Sequence, residues 1–76
     1  MPRPIKDIAF EIKREWKNVS PYAKPYLDAM TTLNSIEDNY YLDTAEEVVI
    51  RFLCNAGSFK GEAARRLKKE LRSLYS

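Results

Sequence analysis

The chain has 76 residues, with 13 basic and 11 acidic side chains, no histidine, two glycines and a hydrophobic content of 45%. A chain this short buries only about 60% of the surface its unfolded form exposes, so residues 1–76 are read as a single helical domain and a multidomain enzyme is excluded. Without histidine, triads, most catalytic zinc sites and most proton shuttles lose their usual side chain, so a non-enzymatic role with no cofactor and no metal is expected.

Pro2 and Pro4 mark a helix entry, because proline fits the first turn where its missing N–H would be unpaired anyway. The spacing predicts a first helix over residues 4–18. At 100° per residue Ile5, Ile8, Ala9, Ile12 and Trp16 share its buried stripe. Phe10 falls about 120° from the centre of that stripe, among Lys6, Lys13, Arg14 and Lys17, with Asp7, Glu11 and Glu15 on the next flank. An outward aromatic ring among cations can anchor a partner; the alternative is a ring tucked under the N-terminus or against another helix.

Ser20-Pro21 opens a new segment, and Pro25 would clash inside a helix continued from Pro21, so residues 20–24 read as a turn. A short second helix follows over 25–34, with Tyr26, Ala29, Met30 and Leu33 at helical spacing and Ile36 beyond. Residues 35–42 show no sustained period and read as a connecting loop. Its acidic members and those after it, Glu37, Asp38, Asp43, Glu46 and Glu47, lack the glycine and ligand spacing of a calcium loop and are assigned to capping and solvation.

Asp43 and Glu46 resemble a capping box opening a third helix over 44–55. Ala45, Val48, Val49, Phe52 and Ala56 form its inner stripe, and Gly57 is expected to end it in the left-handed conformation. Ile50 and Cys54 lie on another side, which suits a central helix covered twice or a homodimer or partner contact. Ser58 is expected to cap a fourth helix over 59–74, whose inner stripe is Ala63, Ala64, Leu67, Leu71 and Leu74. The fold class is therefore all-α, a small bundle of about four helices without strands.

On the fourth helix Arg65, Lys68, Lys69 and Arg72 fall opposite the leucine stripe, and Glu62, Arg66 and Glu70 are spaced for ion pairs along one flank. The ridge suits phosphates or an acidic protein; a solvated face whose cations favour the helix dipole is the alternative. Charge is uneven: residues 1–18 carry +2, residues 19–57 carry −4 and residues 58–76 carry +4. A net charge of only +2 gives little non-specific pull toward nucleic acid. Cys54, the single cysteine, has neither a disulfide partner nor a base beside it and suits a reducing compartment, as it would a disulfide-free secreted domain. Tyr22, Tyr26, Tyr40 and Tyr41 read either as an aromatic surface or as packed rings with hydroxyls turned to water. No apolar run approaches the roughly 18 residues of a membrane span and the N-terminus lacks a signal-peptide core, so a cytoplasmic location without membrane contact is expected.

Pro25-Tyr26-Leu27-Asp28-Ala29-Met30, Asp43, Phe52-Leu53, Asn55-Ala56 and the run from Gly61 to Leu71, GEAARRLKKEL, together resemble short helical proteins encoded by bacteriophages and prophages, over residues 21–74. These proteins are mostly of unassigned function, and the resemblance carries over no functional residue. It implies a phage-type context, in which small domains bind and inhibit or redirect a bacterial protein or complex during host takeover or against host defence. Expected partner contacts are Lys6, Phe10, Lys13, Arg14, Lys17, Arg65, Lys68, Lys69 and Arg72, with nucleic acid on the C-terminal basic face as the alternative.

Overall fold

The computed structural model describes residues 3–75; Pro2 lies outside them. Helix α1 (Ile5–Glu15) starts directly after Pro4. Proline offers no side-chain cap, and the first free amides are satisfied from elsewhere: Ile5 N–H donates to the Asn34 carbonyl at 3.0 Å and Lys6 N–H to that of Leu33 at 2.8 Å. The helix ends earlier than its spacing predicts, because Trp16 turns extended (φ −104°, ψ 93°). There its ring stacks on Phe59 at 5.0 Å and meets Phe52 edge-on at 6.2 Å. Aromatic pairs contribute about 0.5–1.5 kcal/mol each beyond the area they bury, which outweighs the few tenths at stake in further helical residues.

Helix α2 (Lys24–Met30) carries Pro25 in its first turn, where the ring is harmless. It stops short of the predicted residue 34. The Thr31 and Thr32 hydroxyls donate to the carbonyls of Asp28 (2.6 Å) and Ala29 (2.7 Å), and the backbone tightens into three-residue turns there.

The connecting segment contains a hairpin that corrects the all-α expectation. Strand β1 (Asn39–Tyr40) pairs antiparallel with β2 (Asp43–Thr44), Asn39 opposite Thr44 and Tyr40 opposite Asp43. Tyr41 and Leu42 make the turn, with Tyr41 at φ 56° in the left-handed region that non-glycine residues seldom enter. Asp38 fixes the approach: its carboxylate accepts from Asn34 N–H (2.8 Å) and Ser35 N–H (3.1 Å), and its carbonyl accepts from Ala45 N–H (2.8 Å).

Helix α3 (Ala45–Cys54) is capped by Thr44, the last residue of β2, whose hydroxyl accepts from Glu47 N–H at 3.1 Å, so the cap sits one residue after the expected Asp43. At its other end Asn55 closes the helix, its side-chain amide donating to the Arg51 carbonyl at 2.8 Å. Gly57 is not in the left-handed region; that conformation falls to Gly61 (φ 107°), the N-cap of α4 (Glu62–Ser73). Ser58 does not cap α4 and Phe59 does not begin it, because Phe59 is buried against Trp16 and residues 57–60 must loop to place it there.

The predicted stripes of α1 and α3 are buried in full, joined by Ala64, Leu67 and Leu71 of α4 and by Leu27, Ala29, Met30 and Leu33 around α2. Ala63 and Leu74 are only half-buried. α1 packs against both α2 and α4, while α3 leans on α2 and the hairpin. The second apolar strip expected on α3 is not covered as a central helix would require: Ile50 is half-buried and Cys54 exposed. The domain is mostly helical rather than all-α.

Candidate functional site

Because α1 turns its whole Ile/Trp stripe inward, the opposite face must look outward, and Phe10 is 56% exposed there. Lys6, Lys13 and Arg14, at offsets of three or four from Phe10, share that face and are exposed; Lys17, also exposed, lies beyond the end of α1, after the extended Trp16, so the helical spacing no longer places it there. The four differ in commitment. The Lys13 ammonium is 2.8 Å from the Asp28 carboxylate on α2, and Arg14 is 3.9 Å from Glu15, whereas Lys6 and Lys17 make no ion pair among the described residues. The patch is therefore an exposed apolar ring with cations beside it, Lys6 and, past the helix end, Lys17 unpaired among the described residues, and with one acid, the exposed and likewise unpaired Asp7, three residues before Phe10.

The acidic flank behaves differently. Glu11 is only 14% exposed and receives Arg3 at 2.8 Å on one oxygen and Arg66 on the other. Arg3 also grips Glu70 with two parallel bonds, Nε to Oε2 at 2.8 Å and Nη2 to Oε1 at 2.7 Å. The expected ladder of Glu62, Arg66 and Glu70 along α4 is thus replaced by pairs that cross between helices. Hydrogen bonds from Arg66 and then Arg3 hold the Glu11 carboxyl below its ordinary value. In return Glu70, then Glu11, raise the Arg3 guanidinium, and Glu11 raises that of Arg66.

On α4 the predicted ridge is split. Arg65, Lys69 and Arg72 are exposed, but Lys68 folds inward: its ammonium donates to the Phe59 carbonyl at 2.7 Å and lies 5.8 Å from the centre of the Phe59 ring. Burial, then the charges of Arg72 and Lys60, lower its affinity for the proton. Arg65, Lys68 and Arg72 border a cleft of about 240 Å³ together with Phe59, Lys60 and Gly61. Lys69 is not among its walls, and Lys60, which the helix wheel gave no reason to include, is. The signal for Lys60 was its place beside Phe59: once that ring is anchored in the core, the next side chain rims the start of α4.

A larger cleft, about 330 Å³, lies where the start of α1, residues 34–36 and the end of α4 meet, and its one charged wall, Arg3, is already engaged by Glu70 and Glu11. Tyr22, Tyr41 and Leu42 are exposed, Leu42 completely, while Tyr26 and Tyr40 pack partly on the core. The Asp38 carboxylate is engaged by the loop amides of Asn34 and Ser35, and among the described residues no three His, Cys, Asp or Glu side chains gather in a metal-sized group. No helix among the described residues is long and apolar enough to cross a membrane. No family model matches the chain, and comparison with curated proteins and with solved structures gives no significant match.

Proposed function

We propose that this is a small non-enzymatic interaction module of phage type, which docks the Phe10 face of α1 on an acidic surface of a bacterial host protein and so inhibits or redirects it. The observation that carries the reading is the 56% exposure of Phe10 on a helix whose apolar stripe is otherwise wholly buried. An aromatic ring left in water contributes little to folding, and when an interface covers it, it is the kind of residue that dominates binding. Lys6 and, past the helix end, Lys17, without ion-pair partners of their own among the described residues, give the docking surface its sign.

The test is a capture experiment on host lysate paired with thermal melts. Phe10→Ala is expected to lose about 2 kcal/mol or more in affinity for the captured protein while changing folding stability by about half a kcal/mol. Raising salt should slow association through loss of charge steering. A Phe10→Ala variant that binds its partner as the parent does would overturn the proposal.

A further inference from the structure

We propose that the cleft at the start of α4 is a binding site for a phosphate end group, a phosphomonoester or diphosphate on a small organic body, held by Lys60, Arg65, Lys68 and Arg72. Every charged side chain that walls the cleft is cationic. Three of them come from one face of α4, at offsets of three and seven residues from Arg65, and Lys60 comes from the loop before it. Lys60 and Arg65 make no ion pair among the described residues, so their charges are not spent on the fold. Lys68 is held by the Phe59 carbonyl at 2.7 Å and lines the cleft with Lys60, Arg65 and Arg72, so a dianion there would meet cationic side chains from both the loop and the helix.

The arrangement also selects among anions. A duplex presents singly charged phosphates in a row, which a long basic stripe matches, whereas here the cations gather round one small hollow. At about 240 Å³ the cleft is smaller than the roughly 300 Å³ at which ordinary ligand pockets begin, which suits an end group rather than a whole large ligand. Nor is there a free aromatic face for a base to stack on, since Phe59 is covered by Trp16 and approached by Lys68. The body attached to the phosphate therefore stays outside the cleft, beside Gly61, where a side chain would meet only open space.

The experiment is a titration of the full chain with pyrophosphate, adenosine monophosphate, adenosine and duplex DNA, followed by backbone amide shifts. Pyrophosphate and the monophosphate should move the amides of Lys60, Gly61 and Arg65 saturably, and adenosine should not. Lys60→Gln with Arg65→Gln should weaken binding about tenfold or more, and Lys60→Gln alone, in the loop, should give a smaller loss in the same direction. Lys6→Gln with Lys17→Gln removes the same charge from the other end of the sequence, outside the cleft, and should leave affinity within about twofold. No saturation by about 10 mM pyrophosphate, equal binding of adenosine and its monophosphate, or an equal loss in the Lys6 and Lys17 variant would each overturn the proposal. So would duplex DNA saturating the same amides at a lower phosphate concentration than pyrophosphate, which would make the face a nucleic-acid surface.

Discussion

Arg65 and Arg66 are neighbours on α4, yet they sit in opposite electrostatic settings. Arg66 reaches across to Glu11, which also holds Arg3, which in turn grips Glu70, so this seam binds α1 to α4 with alternating charges. Arg65 stands one residue earlier in a group of cations with no acidic wall. The same side chain is structural in one place and unspent in the other, and the deciding factor is which helix face meets α1. A composition count sees only six basic and two acidic residues after position 57. The fold places Arg66 and Glu70 in a neutralised seam and Lys60, Arg65, Lys68 and Arg72 round a charged hollow.

The greatest loss of stability is expected where the hollow rests on the core. Phe59 supports the hollow through its carbonyl and ring and belongs to the core through Trp16. Phe59→Ala should cost about 3–5 kcal/mol, and Leu67→Ala, wholly buried on the inner face of the same helix, about 2–5 kcal/mol. Melts matching the parent would show that neither residue supports the helix as described.

An intermediate effect isolates the seam. Glu11→Gln removes the carboxylate shared by Arg3 and Arg66, and since both guanidinium groups remain partly exposed the cost should be about 1 kcal/mol. The sign with pH follows from the lowered Glu11 value. A carboxyl depressed on folding stabilises the protein above its ordinary value of 4.5 and loses that contribution as pH falls through the folded value. Denaturant titrations below about pH 4.5 should therefore show a steeper loss in the parent than in Glu11→Gln, and parallel curves would remove Glu11 from the account of acid stability.

The cations of the hollow should contribute least to folding. Lys60→Gln with Arg65→Gln should leave the melting point nearly where it was, within about half a kcal/mol, because no paired group is lost. A loss as large as that of Glu11→Gln would mean the hollow is as structural as the seam.

The apolar stripes were legible because a 3.6-residue period survives whatever the partners are: each of Ile5, Ile8, Ala9, Ile12, Val48, Val49, Phe52, Leu67 and Leu71 is buried as the spacing indicates. The hairpin was not legible, since strands of two residues have no alternation to detect and its turn, at Tyr41 and Leu42, lacks the usual glycine. Phe59 was misplaced because a residue after a serine reads as a helix start, while its true role depends on Trp16, far away in sequence. The same holds for Glu11 and Glu70, whose partners lie on other elements. Of the candidate surfaces, the exposed face of α1 was readable from the wheel, whereas the hollow required knowing where α4 begins.

The first amides of α1 donate to the carbonyls of Leu33 and Asn34 rather than to a side chain beside them. Helix ends ordinarily fray by themselves, at almost no cost, and exchange their amide protons with solvent accordingly. Here Ile5 and Lys6 cannot open without breaking bonds to the segment after α2, and that segment is itself tied through Asp38 to the first residue of α3. The first turn of α1, the segment after α2 and the entry to α3 are thus linked by one set of hydrogen bonds, so opening of that turn is coupled to opening of the segment that positions the hairpin.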